Sequence, residues 1–365
     1  MMNALIVTWH GGGVLQSAIG LGQQLAADGH EVRIIAPRQV AARVALAGCR
    51  HVEQPASAAF DPARGAAVED QPTYLHDICT GPALANATRR ELEREAPDVV
   101  VVDYFLASTA EVVRASGFAL VLLVHMAHDF YAPPHLDTAD SVIVALPEVL
   151  DRWPDPPAHV THVGRIHDAS CHPPWRSPWA PDDQRPLVVA SLGTTNMHQL
   201  DLLSRINDAL GTLEVRGLVL TGEEINPCGF QRHDNVRIER YVPHEAVLEH
   251  ASLLVSHAGM GSVLAGMTHE LPMVCIPLGR DQHHNAARAE QLGVAVTASA
   301  DATIDTLRSH ILSAMSNEEM HIAARQLAVH ANRGGGAARA AIIVATVGAH
   351  APRLPERDVT PVAHP

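Results

Sequence analysis

Short apolar runs alternate with longer stretches of helical period along almost the whole chain. Runs such as Ala4–Thr8, Val99–Asp103 and Leu187–Ser191 predict buried strands, and stretches such as Gln16–Asp28 and Tyr74–Arg94 predict the helices between them. Strands that alternate with helices are typical of βα units around parallel sheets. We therefore predict an α/β fold.

A proline-rich stretch divides this pattern into two sets of βα units. Prolines at positions 173, 174, 178 and 181 exclude regular helix and central strand there. We predict two open α/β domains, residues 1–170 and 187–350, joined by a linker at 171–186 and followed by a disordered tail at 351–365. Parallel sheets bind ligands at the carboxyl ends of their strands, so function is expected in the cleft between the domains.

Composition then excludes several classes of function. Among 365 residues there is no lysine, which removes Schiff-base, P-loop and kinase mechanisms. A net charge of -14 argues against a nucleic-acid partner. The five cysteines form no CxxC pair, which predicts neither zinc site nor disulfides and fits a reducing cytoplasm. We also expect no signal peptide and no membrane span, because no charged leader or sufficiently long apolar run is readable.

Three glycines follow the first predicted strand in Trp9-His10-Gly11-Gly12-Gly13. A dinucleotide site is disfavoured, because the spacing is not GxGxxG and the second strand ends without an acidic ribose ligand. The glycines therefore serve either a close approach to another ligand or only a tight turn. His10 at the mouth of this loop is a candidate general base or one of the chain's many surface histidines.

The strongest motif lies in the second half, where a predicted strand ends in Ser256-His257-Ala258-Gly259-Met260-Gly261-Ser262. Small residues that open a helix beside a histidine suit a phosphate group, because free N–H groups and the helix dipole converge there. Further on, Asp281 and Gln282 open another predicted helix. A carboxylate next to an amide can hold neighbouring sugar hydroxyls, although Asp281 is also a reasonable helix N-cap.

Together these residues resemble the donor-binding signature of nucleotide-sugar-dependent glycosyltransferases, family 1 of the UDP-glycosyltransferase superfamily, and most of all the bacterial enzymes that glycosylate antibiotics. The resemblance implies a GT-B fold, in which two Rossmann-like domains face each other across a cleft. Residues 1–170 would bind the acceptor and residues 187–350 the donor. The positions that match the family's donor site are Thr194, Thr195, Val242, His257, Gly259, Gly261, Ser262, Asp281 and Gln282.

On the acceptor side, the resemblance implies a catalytic base held by an aspartate that matches Asp103. The family's usual base position corresponds here to Val14, which cannot take a proton. We predict His10 as the base, with Asp103 acting directly or His125 assisting as alternatives. Trp9 and His125 are expected to contact the acceptor.

The implied reaction is an inverting transfer of sugar from a TDP- or UDP-sugar to a small apolar acceptor. No cofactor is expected beyond this co-substrate, and no metal, because the chain lacks an Asp-x-Asp triplet. Two alternatives stay open: a nucleotide-sugar 2-epimerase of the same fold, and a donor-binding, catalytically silent partner of another transferase. The sugar, the linkage and a homodimer are also left open.

Overall fold

The computed structural model describes residues 1–9, 11, 13–58, 71–132, 134–168, 175–193, 197–222 and 224–350. His10, Thr194, Thr195, part of the predicted linker and the predicted tail at 351–365 lie outside the described residues. Residues 1–168 are called the first half below, and residues 175–333 the second half.

Thirteen described strands carry the two sheets, and helices connect them. The strands are β1 (Asn3–Val7), β2 (Glu31–Ala36), β3 (Arg50–Glu53), β4 (Val99–Asp103), β5 (Leu120–Val124), β6 (Ser141–Val144), β7 (Val160–His162), β8 (Leu187–Ser191), β9 (Arg216–Leu220), β10 (Val236–Glu239), β11 (Leu253–Ser256), β12 (Met273–Cys275) and β13 (Ala295–Thr297). The α-helices are α1 (Val14–Ala27), α2 (Ala41–Leu46), α3 (Gln71–Thr80), α4 (Pro82–Arg94), α5 (Ala107–Ala115), α6 (Leu200–Gly211), α7 (His244–Val247), α8 (Met260–Thr268), α9 (Gln282–Gln291), α10 (Ile304–Ser316), α11 (Glu318–Arg333) and α12 (Gly336–His350).

Every strand pair in both sheets is parallel, which confirms the predicted α/β class. The first sheet has the order β3-β2-β1-β4-β5-β6-β7 and the second has the order β10-β9-β8-β11-β12-β13. In each sheet the strand order reverses once, between β1 and β4 and between β8 and β11. Such a reversal opens a crevice at the carboxyl ends of the two strands beside it.

Apolar side chains from both faces of the sheets form the core. In β4, Val100 and Val102 belong to one buried cluster, whereas Val99 and Val101 belong to another on the opposite face. The first cluster also contains Val189 and Leu218 of the second sheet, so the apolar core is continuous between the two halves. Strands covered on both faces in this way explain the unbroken apolar runs in the sequence.

The structure differs from the sequence-based prediction at two local positions. The single helix predicted at Tyr74–Arg94 is two helices, because Pro82 cannot continue the hydrogen-bond ladder of α3 and instead begins α4. The edge strand β3 was not predicted. Its sequence Arg50-His51-Val52-Glu53 is mostly polar, because only one side of this strand is paired within the sheet.

The last helix packs on the first half of the chain. Ala340, Ala341 and Val344 of α12 lie in the same buried cluster as residues of β4 and α1. The sequence-based division assigns these residues to the range 187–350, yet in space they cover the first sheet. No described helix is long and apolar enough to cross a membrane.

A buried ion cluster joins the amino-terminal strands to α4. Arg33, whose side chain is 2% exposed, lies within β2 and donates to Glu91 Oε1 at 2.6 Å and to the carbonyl of Glu95 at 2.7 Å. Burial alone would raise the pKa of Glu91, but hydrogen bonds from Arg94 and Arg33 lower it below its usual value. The cluster therefore keeps both charges ionised inside the protein.

We expect Arg33→Ala to lower the free energy of unfolding by about 3 kcal/mol, because it leaves the Glu91 carboxylate buried with only Arg94 as a partner. Urea denaturation followed by circular dichroism measures this change. The matched control is Arg50→Ala, whose half-exposed side chain pairs with Glu95, and a loss under about 1 kcal/mol is expected there.

The same cluster gives a pH dependence with a defined sign. Because folding lowers the pKa of Glu91, its stabilisation is complete above the unfolded carboxyl pKa and is lost as the pH falls through the folded value. The difference between the wild type and Arg33→Ala should therefore shrink on acidification. A difference that grows at low pH would contradict this account of the cluster.

Candidate functional site

The two strand-order reversals place the predicted site residues of both halves at strand ends. Trp9 lies two residues beyond β1, and Asp103 is the last residue of β4. His125 directly follows β5, which is the next strand in the sheet. In the second half, His257 directly follows β11. Residues far apart in sequence are thus brought to the same edge of each sheet, because parallel strands end together.

Asp103 is a buried carboxylate whose hydrogen-bonding capacity is used by three donors. Its side chain is 1% exposed. Oδ1 accepts from the indole N–H of Trp9 at 3.3 Å and from the backbone N–H of Phe105 at 3.0 Å, and Oδ2 pairs with Nε2 of His125 at 3.1 Å. The carboxylate is therefore fixed in position, and it fixes the orientation of both rings.

Aromatic side chains surround the His125 ring. The ring centroid of Tyr104 lies 5.0 Å from that of His125 and the centroid of Phe105 lies 5.5 Å from it. Tyr131 stacks on Phe105 at 5.1 Å and is 40% exposed, so the cluster reaches the surface of the protein. These residues form an apolar wall at the carboxyl edge of the first sheet.

His257 lies against backbone in the second half. A Cβ built on Gly193 would meet His257 Nε2 at 2.8 Å, and one built on Gly259 would meet it at 2.6 Å. Only glycine at positions 193 and 259 allows the His257 ring to lie this close to both backbone segments. Burial, together with the charges of His244 and Arg280, lowers the pKa of His257 to about 4. The imidazole is therefore neutral at neutral pH.

The N-terminus of α8 opens beside this ring. A Cβ built on Gly261, the second residue of this helix, meets nothing within 4 Å, so there is open space beside the first turn at this residue. The side chain of Ser262, the next residue of the motif, is buried. Ala258, two residues before the helix, has φ 60°, a left-handed conformation that is unfavourable for a residue with a Cβ. Backbone strain of this kind is common where a loop presents its N–H groups to a ligand.

A second residue in the left-handed region, Arg280, lies on the neighbouring loop with φ 55°. Its Nε and Nη2 atoms are buried and have no hydrogen-bond partner among the described residues. Burial lowers the pKa of this guanidinium, and the adjacent Asp281 opposes that shift. Arg280 is charged at neutral pH nevertheless. A buried, unsatisfied cation beside His257 favours an anion as the ligand of this site.

Asn285 holds the Asp281 and His257 loops together. Its Nδ2 donates to Asp281 Oδ2 at 2.7 Å and to the backbone carbonyl of Ala258 at 3.0 Å. The side chain of Gln282 is 2% exposed, and its Oε1 accepts from the backbone N–H groups of Leu278 at 2.7 Å and Gly279 at 3.2 Å. The side-chain amide of Gln282 therefore stabilises the loop at Leu278 and Gly279. Asp281, by contrast, is only partly buried.

Asp281 also faces the first half of the chain. Burial raises the pKa of its carboxyl, and the charge of His125 is close enough to oppose that shift. The side chain of α9 residue His284 pairs with Asp129 at 3.0 Å, and Arg288 donates to the carbonyl of Val149 at 2.7 Å. The helix that begins just after Asp281 is thus a direct contact between the two halves.

The other predicted residues lie around this region. Val242 is partly buried and packs on the larger apolar cluster, and Trp9 is 4% exposed. A cavity of about 750 Å³, lined by Met197, Leu278 and Thr297 among others, lies beside the loops but is not lined by His257 or Asp281. We therefore locate the site by its polar groups. Within the described parts of the chain, no group of three or more His, Cys, Asp and Glu side chains could hold a metal ion.

Sequence reasoning did not find Arg280 or Asn285. Both positions lie within the segment Arg280-Asp281-Gln282-His283-His284-Asn285, next to residues that were singled out. In a chain without lysine, an arginine directly before the predicted sugar-binding pair is the signal that could have found the first. The bridging role of Asn285 depends on the left-handed turn at Ala258, which no sequence pattern reveals.

The chain is similar in sequence to proteins of one known family. The family model described as "UDP-glucoronosyl and UDP-glucosyl transferase" matches residues 132–322. The oleandomycin glycosyltransferase of Streptomyces antibioticus is 33% identical over 161 residues, which are 43% of this chain and 37% of that protein. The aligned part of this chain thus spans well under half the length of that relative.

Solved structures extend the similarity to nearly the whole chain. CalG4, the calicheamicin glycosyltransferase, superimposes with a TM-score of 0.79 at 20% identity, covering 96% of this chain and 100% of that one. The glycosyltransferase VinC in complex with dTDP gives a TM-score of 0.75 at 17% identity, covering 95% of this chain and 100% of that one. These likenesses confirm the predicted GT-B fold. With the family model matching more than half of its length, this chain belongs to the UDP-glucuronosyl and UDP-glucosyl transferase family.

Proposed function

We propose that this protein is an inverting glycosyltransferase that moves a sugar from a TDP- or UDP-sugar to a small apolar acceptor. The main support for the proposal is that each half of the chain contributes one polar site, a candidate site for proton removal in the first half and a candidate anion site in the second. The buried Asp103 with His125 lies on the first half, and the anion site at His257 and Arg280 lies on the second half. Asp281 follows Arg280 directly and begins the helix that contacts the first half at Asp129. Proton removal and leaving-group stabilisation are thus supplied from opposite sides.

On the donor side, the diphosphate would lie in front of α8. The backbone N–H of Gly261 is among the first of that helix and has no partner among the described residues, so it is free to donate to a phosphate oxygen, whereas the N–H of Ser262 donates to the carbonyl of Gly259 at 2.8 Å. We assign the nucleobase of the donor to the backbone at Val242 and its sugar to Asp281 and Gln282. The phosphates are assigned to His257, Gly259 and the loop that contains Thr194 and Thr195. VinC, which has the same fold, is solved with dTDP, and this supports a TDP-sugar donor.

Charge compensation distinguishes the roles of His257 and Arg280. A neutral His257 donates a hydrogen bond but contributes no positive charge until it is protonated. The negative charge on the departing nucleoside diphosphate must then be balanced by the helix dipole and by Arg280. Arranged donors that meet charge as it develops are the largest contribution in many group transfers. We therefore add Arg280 to the donor site.

The acceptor would bind against the aromatic wall of the first half. Phe105 and Tyr131 provide accessible apolar surface around His125, which suits a flat or compact aglycone with one reacting hydroxyl. Trp9 and Tyr104 are almost fully buried and pack against Phe105. The oleandomycin glycosyltransferase and CalG4 are named for antibiotic acceptors, and this supports an antibiotic-type aglycone. No cofactor or metal is required by this reaction scheme.

Purified protein incubated with TDP- and UDP-sugars and a panel of hydroxylated aglycones should release nucleoside diphosphate only when an acceptor is present. The glycoside product should have the opposite anomeric configuration to the donor, which NMR spectroscopy can measure. Epimerised donor without acceptor would support the 2-epimerase alternative instead. Tight TDP binding with no turnover of any pair would support the silent partner.

Arg280→Gln should weaken TDP binding by about 10- to 100-fold, because hydrogen bonds between charged groups contribute about 1.5–3 kcal/mol. Isothermal titration calorimetry measures the dissociation constant. The control is Arg232→Gln on an exposed part of the second half, where no change is expected. Equal affinity of Arg280→Gln and wild type would remove Arg280 from the donor site.

Gly259→Ala should weaken TDP binding by about tenfold, because the new Cβ would lie 2.6 Å from His257 Nε2 and push the ring away from the phosphates. Gly229→Ala is the matched control, since a Cβ there meets nothing within 4 Å. Thermal unfolding of both variants should be measured alongside. A loss of affinity in Gly259→Ala without any change at Gly229 would attribute the effect to the His257 contact.

A further inference from the structure

We propose that His125 is the base that takes the proton from the acceptor hydroxyl, and that Asp103 positions it. This inference rests on the proposed transferase function and identifies the residue that performs its first step. The observation behind it is the single hydrogen bond between His125 Nε2 and Asp103 Oδ2 at the carboxyl edge of the first sheet.

The hydrogen bond determines which ring nitrogen is basic. A carboxylate only accepts, so Asp103 Oδ2 requires the proton to be on Nε2 of His125. The lone pair of the neutral ring is then on Nδ1. Among the described residues, Nδ1 has no hydrogen-bond partner, and the side chain is 13% exposed. A basic nitrogen that is oriented, unpaired and accessible meets the requirements for a general base.

Asp103 itself is poorly placed to take the proton. Its side chain is 1% exposed, and both oxygens are occupied by Trp9, Phe105 and His125. A carboxylate that accepts three hydrogen bonds would have to lose one before it could reach an acceptor. In its present position it instead stabilises the imidazolium that forms on His125 during the reaction.

The position of His125 relative to the second half also agrees with a role as the base. Asp281, one of the two residues assigned to the donor sugar, directly precedes α9, and His284 of that helix pairs at 3.0 Å with Asp129, which lies on the loop after His125. Phe130, the residue after Asp129, packs its ring against His284 with 5.6 Å between the centroids. The base and the sugar site therefore face each other across the same crevice, with the aromatic wall beside them.

The step balances as a single displacement. The acceptor O–H bond breaks and its proton passes to Nδ1 of His125, while the oxygen forms a bond to the anomeric carbon. The bond from that carbon to the β-phosphate oxygen breaks, and its electron pair leaves with the nucleoside diphosphate. The imidazolium, held by Asp103, returns its proton to solvent after the products depart.

Position 14 cannot compete for this role. Val14 is the first residue of α1, and its side chain is buried in the apolar cluster that also contains Trp9 and Tyr104. His10, which the sequence predicts as the base, lies outside the described residues, so it enters here only as a rival that the experiment must separate.

The experiment compares His125→Ala, His125→Gln and His10→Ala with wild type on two acceptors, using TDP-glucose or UDP-glucose as the donor. At mildly alkaline pH benzyl alcohol keeps its proton and needs a base, whereas 4-nitrophenol is largely ionised and does not. Both His125 variants should lose transfer to benzyl alcohol by about 100- to 10,000-fold and transfer to 4-nitrophenol by less than about tenfold. His10→Ala should keep both rates.

Three further measurements separate catalysis from folding and from positioning. TDP affinity should be unchanged in each variant, and His76→Ala, an exposed histidine of α3, should behave as wild type. Asp103→Asn should lower kcat for benzyl alcohol by about 100-fold or more without changing the donor KM, since the asparagine favours the wrong ring tautomer. The Gln variant retains a donor toward Asp103, so its loss of rate cannot be attributed to an unpaired carboxylate.

Opposite results overturn the assignment in distinct ways. Full transfer to benzyl alcohol by both His125 variants, or equal losses on both acceptors, would show that His125 is not the base. Loss of rate only in His10→Ala would return the role to His10. A wild-type protein that transfers to neither acceptor, and to no other aglycone, would contradict the proposed function itself and with it this inference.

Discussion

All parts of the candidate site depend on one topological constraint: every strand pair in both sheets is parallel, and the strand order reverses once in each sheet. Parallel strands deliver all their carboxyl ends to one edge, and the reversal separates the connecting helices there. Asp103 and His125 lie 22 residues apart in sequence, yet they end neighbouring strands and come within hydrogen-bonding distance. His257 and Gly193 meet in the same way after β11 and β8.

Much of this arrangement could be predicted from the sequence. The strands of both sheets could be located from apolar runs in the sequence. Strands that are buried on both faces are apolar at nearly every position, so they stand out from the longer helical stretches between them. The His257 motif and Asp281-Gln282 were found because their residue types and spacing are characteristic of one family. The break at Pro82 and the polar edge strand β3 were missed, since a long helical period and a half-paired strand mislead simple pattern reading.

Other features depend on contacts that have no local signature. The return of α12 to the first sheet is decided by small apolar residues that would suit a helix in either half. The hydrogen bond between His125 and Asp103 depends on strand register, and the unsatisfied guanidinium of Arg280 depends on a left-handed backbone. Sequence analysis named Asp103 and His125 as candidates but not Arg280, and it could not show that His125 is oriented by a hydrogen bond or that Arg280 lacks a partner among the described residues.

The absence of lysine makes this geometry more demanding. A flexible ammonium group could approach a diphosphate from many directions, whereas the planar guanidinium of Arg280 must be held in place by its backbone. That backbone is strained, and Asn285 and Gln282 tie it to the neighbouring loop and to the start of α9. The same helix contacts the first half through His284 and Arg288. In the proposed reaction, the position of the leaving group relative to His125 is therefore set by α9, since this helix carries both the loop of the candidate anion site and the contact between the halves.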